Sequence, residues 1–141
     1  KFYQWGVMDS DGRFNLYERI NSRGLPSGMF SFLPDEAQTR NYKAVPCMTI
    51  ASIMQHFRHE KLDLVKLDIE GAEFKVIRKM LQDNIFPAQL LVEFHHRFNR
   101  FSLEDTKLAV SDLQSHGYEI IYVSRTGREL TFCLKTSRNY S

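Results

Sequence analysis

Two short segments of this 141-residue chain concentrate the residue types that do chemistry. The first is Lys66-Leu-Asp-Ile-Glu-Gly-Ala-Glu73, where an apolar run passes through Asp68, Glu70 and Gly71 into a stretch of helical periodicity. Carboxylates in such a place can take a proton, hold a hydroxyl or bind a cation. The second is Glu93-Phe-His-His-Arg97, where a histidine beside a carboxylate can serve as a base near neutral pH or as a ligand to a divalent metal. Strand alternation puts Glu93 and His95 on one face, Phe94 and His96 on the other. A plainer reading stands beside each of these. Acidic residues in a first helical turn interact favourably with free amides and the helix dipole, and for Glu73 that capping role is the preferred one. Asp68 precedes the helix at a strand end, where capping is a weaker motive, so it is the better candidate for function. One of the two histidines can equally be a hydrogen-bonding partner of a loop carbonyl.

The elements that must position these groups follow from periodicity. Thr49 precedes Ile50, Ile53, Met54 and Phe57 at helical spacing, which predicts a capped helix. Leu64 to Ile69 is short, apolar and rich in branched residues, as a doubly covered strand of a parallel sheet would be. Ala72, Val76 and Met80, flanked by Ile77 and Leu81, predict a second helix, closed by Asn84 and Pro87. Gln89 to Phe94 reads as the next strand. Ser102 with Asp105 resembles a capping box before a third helix ending at Gly117. Tyr118 to Val123 and Glu129 to Leu134 then form an antiparallel hairpin about Thr126-Gly127. Phe2 to Met8 and Phe14 to Ile20 look like strands around the turn Asp9-Ser10-Asp11-Gly12, followed by a loop rich in Gly, Pro and Ser. Helices alternating with strands imply right-handed crossovers, and in an open α/β sheet ligands bind beyond the carboxyl ends of the strands. Asp68, Glu70, His95 and His96 would then share one rim.

Bulk properties narrow the function classes. The formal charge of +2, with 19 Lys and Arg interspersed among 17 Asp and Glu, argues against a nucleic-acid partner. Only His95, His96, Arg97 and Arg100 form a locally basic stretch. No apolar run has the length of a membrane span, and the first residues lack a signal-peptide layout. Cys47 and Cys133 fall within apolar segments as free buried thiols rather than a disulfide, which leans toward a cytoplasmic location. Among the seven glycines no two are separated by a single residue, so no Gly-x-Gly loop cradles a cofactor.

With these motifs in place, Lys66-Leu-Asp-Ile-Glu-Gly-Ala-Glu73 resembles the signature of FkbM-type methyltransferases. Val45-Pro-Cys-Met-Thr-Ile is similar to the segment that opens the preceding helix in that family, and Gly6-Val-Met-Asp-Ser-Asp-Gly12 to its strand-and-turn motif. Gln89-Leu-Leu-Val-Glu-Phe-His-His96 is similar to the branch of metazoan methyltransferase-like proteins. The resemblance implies an α/β fold of the class I methyltransferase, Rossmann-like type: a mostly parallel sheet ending in an antiparallel hairpin. It implies methyl transfer from S-adenosylmethionine to a hydroxyl of a sugar, glycan or other small molecule. Residues 1–141 then read as the C-terminal part of a single methyltransferase domain whose N-terminal strands and cofactor loop are missing, with Gly6 and Val7 as the remaining cofactor contacts. Asp68 or His95 would be the base, while Glu70 and His96 would hold the acceptor, with no metal in this scheme. The open edge expected on Leu64 to Ile69 would favour pairing into a homodimer. Two other readings are carried: a metal-assisted enzyme with Asp68, Glu93 and His95 as ligands, and a non-catalytic binding module that retains the fold.

Overall fold

The computed structural model describes residues 1–21, 23–32, 42–96 and 101–135. In chain order they form β1 (Gly6–Val7), β2 (Gly12–Ile20), β3 (Pro26–Ser31), β4 (Tyr42–Met48), α1 (Ile50–Phe57), β5 (Leu64–Leu67), α2 (Glu73–Gln82), β6 (Gln89–Glu93), α3 (Leu103–Ser115), β7 (Tyr118–Val123) and β8 (Glu129–Leu134). Among the described residues no helix is long and apolar enough to cross a membrane.

The mostly parallel, Rossmann-like sheet expected from the sequence does not form. There are instead two four-stranded mixed sheets, ordered β1-β4-β2-β3 and β5-β6-β8-β7. In each, one neighbouring pair is parallel, β1 with β4 and β5 with β6, and the other pairs are antiparallel. The reason in the second sheet is the placement of the final hairpin. β8 inserts between β6 and β7, so the α3 crossover does not return its strand beside β6, and the prospective parallel contact of β6 is replaced by an antiparallel one with β8.

The first sheet departs further. The stretch read as a Gly, Pro and Ser loop holds β3, and Val45-Pro-Cys-Met, read as leading into a helix, is part of β4. β4 pairs with β2 over six consecutive positions, from Gly12 opposite Cys47 to Tyr17 opposite Tyr42. Pro46 lacks an amide hydrogen and sits poorly in a strand interior, which masks the strand in the sequence.

The helices match their sequence signals closely. Thr49 caps α1 by accepting from the Ser52 amide, and Asp11 reaches across from the β1–β2 turn to accept from the Thr49 amide at 2.7 Å. Ser102 and Asp105 form the reciprocal capping box of α3.

The core joins these layers and determines where the site lies. Phe74, Ile77 and Met80 of α2 pack with Leu67 of β5, Leu90 and Val92 of β6, Leu113 of α3 and Phe132 of β8. A smaller cluster of Met8, Cys47 and Ala72 lies under the first sheet, with Phe14, Phe32 and Val45 against it. Ile69 packs against both clusters, so the turn from β5 into α2 is pinned between the two sheets.

Candidate active site

β5 ends at Leu67, and the next six residues carry the acidic motif into α2. Asp68 leaves the strand with 42% of its side chain exposed. The backbone then turns through Glu70 at φ 52° and Gly71 at φ 101°. A left-handed conformation costs a non-glycine residue about 1 kcal/mol or more and persists only where surrounding contacts hold it. At Glu70 the holding contact comes from the first sheet: the Ser31 hydroxyl donates to the Glu70 carbonyl at 2.9 Å. Arg19 of β2 approaches the Glu70 carboxylate to 3.9 Å.

The turn delivers Glu73 into the interior. Its N-cap is Ala72, which offers no side-chain cap, and the Glu73 carboxylate is fully buried. One oxygen accepts from the Gly71 amide at 2.8 Å. The other accepts from the His95 amide at 2.7 Å and lies 3.0 Å from His95 Nδ1. A carboxylate acceptor places the ring proton on Nδ1 and turns Nε2 the opposite way. Nε2 faces Glu70 at 3.7 Å, Asp68 at 3.9 Å and Glu93 at 4.0 Å. His95 itself is 5% exposed.

The electrostatics follow from this geometry. Burial alone pulls the His95 imidazole down, but the hydrogen bond it donates to Glu73 and the charges of Glu73, Glu70 and Glu93 outweigh it, so its pKa stands above the usual histidine value. Burial pushes the Glu70 carboxyl up, reinforced by Asp68 and Glu93 and opposed by His95 and Arg19. Lys66 stands 3.7 Å from Asp68 and Arg128 3.8 Å from Glu93. Oxygen and nitrogen donors of Asp68, Glu93 and His95 lie within 4.8 Å of one another.

Of the residues singled out in the sequence, Asp68, Glu70 and His95 are brought together, and Glu93 joins them from the end of β6. His96 points elsewhere, with Nδ1 3.2 Å from the Thr106 hydroxyl of α3. Arg97 and Arg100 lie outside the described residues. Gly6 and Val7 are on β1. A Cβ on Gly6 would stand 2.6 Å from Phe32 Cζ and 2.7 Å from Cys47 Sγ, so the protein's own side chains fill that space, and Val7 packs against the larger core. Cys47 is a buried free thiol and Cys133 a half-buried one.

Three contributors escaped sequence reasoning. Glu73 was assigned to capping, and its tie to His95 spans 22 residues, which no local pattern reveals. The one available signal was a glutamate in a first helical turn behind a non-capping alanine. Arg19 and Ser31 reach the motif from a separate sheet, with no sequence signal.

The family model described as Methyltransferase FkbM domain matches residues 4–120, more than half of the chain. Two curated relatives, both named "Probable methyltransferase-like protein 24", from rat and from human, are each 30% identical to it over 63 residues. That alignment covers 43% of this chain and 17% of each relative, so the chain spans a small part of their length. No solved structure matches it.

Proposed function

This chain belongs to the FkbM methyltransferase domain family, and from that premise we propose that it forms the acceptor side of an S-adenosylmethionine-dependent enzyme that methylates a hydroxyl of a sugar or other small molecule. The observation that carries this reading is the buried Glu73–His95 pair, which presents Nε2 to a rim of three carboxylates where the β5 and β6 strands end.

A hydroxyl oxygen becomes nucleophilic as it loses its proton, so the acceptor side must orient the oxygen and provide somewhere for that proton to go. Asp68 is the most exposed of the rim groups and meets the acceptor first, holding its hydroxyl. The proton passes inward to His95 and Glu70, which face each other at 3.7 Å. Glu73 keeps the imidazole in the tautomer whose Nε2 points at the rim. A rim with this many carboxylates repels phosphate or carboxylate groups and suits neutral polyhydroxy acceptors.

S-adenosylmethionine supplies the methyl group when bound. The described residues do not make a cradle for it: the space beside Gly6 is filled by Phe32 and Cys47. The steps above are therefore confined to the acceptor.

The reading is tested by Asp68→Asn in the protein that carries this chain, assayed for transfer of labelled methyl groups to a panel of polyols and glycans. Turnover is expected to fall about a hundredfold with thermal unfolding unchanged, the scale of misplaced reacting groups. Undiminished turnover would return Asp68 to a structural role.

A further inference from the structure

α2 and α3 are in contact and leave an open groove between them. Its floor is apolar, made by Phe74 and Ile77 of α2, Ala109 of α3, and Phe101, whose ring stacks on Phe74 with centroids 4.3 Å apart. The two flanks carry opposite charge. On α2, Lys75 and Arg78 stand about one turn apart, both exposed and, among the described residues, without an ion pair. On α3, Asp105, Leu108 and Asp112 form a stripe at helical spacing, with Leu108 63% exposed and the Asp112 carboxylate likewise without an ion pair. Bonds from Ser102 hold the Asp105 carboxyl low, and the charge of Arg78 across the groove adds to this, so the two flanks feel each other.

We propose that two copies of this chain pair face to face through this groove, about a two-fold axis that runs along it. Such an axis carries α2 of one copy over α3 of the other. Lys75 and Arg78 then meet Asp105 and Asp112 of the second copy, and the same contacts recur with the roles exchanged. Leu108 of each copy is brought over the apolar floor of the other, where its exposed methyl groups leave water. The pairing does not depend on the rim at the ends of β5 and β6 being an acceptor site.

The charge pattern selects the occupant. An acidic peptide, a nucleic acid or an anionic membrane would be attracted by Lys75 and Arg78 and repelled by Asp105 and Asp112, and a basic partner would meet the reverse. A surface with one basic and one acidic flank about an apolar strip is complementary to itself, which is what a two-fold interface requires. The contact is small, since α3, with 13 residues, is about 20 Å long. It therefore lies at the lower end of specific interfaces, and a reversible dimer follows. α2 begins at Glu73, whose carboxylate holds His95, so the second copy covers the outer side of the helix that anchors the candidate site.

The test is sedimentation-velocity ultracentrifugation of the full chain from about 1 µM to about 1 mM, where contacts of this size assemble. The parent is expected to pass from monomer to dimer. Leu108→Glu is expected to weaken pairing at least about tenfold, the scale of one leucine left in water. The double variant Lys75→Glu with Arg78→Glu, and the single variant Asp112→Lys, are expected to do the same, because each sets like charges against each other twice in a symmetric pair. An equimolar mixture of these two is expected to regain the parent affinity to within about threefold, since the mixed pair opposes unlike charges at both places. Asp105 is left intact because it caps α3. The four substituted residues are exposed, and circular dichroism on each variant verifies its fold. A monomer up to about 1 mM overturns the proposal and leaves the groove to another partner. A dimer indifferent to these variants overturns it too, by placing the contact on another surface. So does a mixture that pairs no better than its components, because the two-fold arrangement requires the rescue.

Discussion

Replacing Glu73 by glutamine changes one atom in a fully buried side chain, and the structure says why this isostere does not fit. The carboxylate receives hydrogen on both oxygens: one from the Gly71 amide at 2.8 Å, the other from the His95 amide at 2.7 Å and from Nδ1 at 3.0 Å. A glutamine has one accepting end and one donating end. If its NH2 faces Gly71, two donors oppose each other and the Gly71 amide is orphaned. If it faces His95, the imidazole can change tautomer, but the His95 amide is orphaned instead. Either way a buried N–H loses its partner, at about 1–3 kcal/mol, and charge-assisted bonds become neutral ones about half as strong. A total near 3 kcal/mol is a large fraction of the roughly 5–15 kcal/mol that holds a domain together. With an m-value of about 2 kcal/mol per molar urea, the unfolding midpoint should drop by about 1.5 M. Urea titration followed by far-ultraviolet circular dichroism measures it. A midpoint within about 0.25 M of the parent, equivalent to the roughly 0.5 kcal/mol typical of surface substitutions, would refute the three-donor account.

Two further outcomes follow from other contacts. Gly6→Ala places a methyl 2.6 Å from Phe32 Cζ and 2.7 Å from Cys47 Sγ, and overpacking of this kind costs about 1–3 kcal/mol, so a Tm lower by about 5 °C is expected in differential scanning calorimetry. An unchanged Tm would mean that both neighbours move aside freely. Asp11 accepts from the Ser52 hydroxyl and the Thr49 amide, and these bonds hold its carboxyl below the usual range. A folded pKa below the unfolded value gives stability that is full above about pH 4 and is lost as pH falls through the folded pKa. Asp11→Ala should therefore be less stable than the parent at pH 7, by no more than about 1 kcal/mol for so exposed a group, with the gap closing toward pH 2 in urea titrations. A gap independent of pH would assign the effect to something other than this carboxylate.

The sequence was legible wherever the determinant of structure is local. Thr49, the Ser102 and Asp105 pair, the Thr126-Gly127 turn and the apolar spacing of α2 are all read within a few residues, and each element forms where its signal lies. What failed was pairing. Nothing in the residues Glu129–Leu134 themselves says that they enter between β6 and β7; an inserted antiparallel strand is implied only by the family resemblance, and that insertion changes the neighbours of both. Likewise, β4 owes its existence to β2, since Tyr42–Met48 contains a proline and has no strand signature until six positions of Gly12–Tyr17 line up against it. The site divides along the same line. Asp68 and His95 were visible from their places at strand ends, while Glu73 and Arg19 owe their roles to distant parts of the chain.

This chain also contains its own standard for what a structural carboxylate looks like, and the rim does not meet it. Asp11 and Asp105 cap helices through short bonds to amides and hydroxyls, and those bonds lower both pKa values. Glu129 accepts from Ser124 and Thr126 in the β7–β8 turn, and these bonds bring it to about 2. Where a carboxylate serves folding here, donors surround it and its anion is favoured. Glu70 shows the opposite pattern: a left-handed backbone, an enclosed oxygen without a donor, and a carboxyl pushed up by burial. Asp68 and Glu93 likewise converge on a single imidazole with no hydrogen bond of their own among the described residues. Three carboxylates about one nitrogen repel one another, and Lys66, Arg128 and Arg19 at 3.7–3.9 Å offset part of that repulsion. Glu73 and Ser31 anchor the turn from within, and its chemistry makes sense as a place prepared for a proton or a hydroxyl that comes from outside.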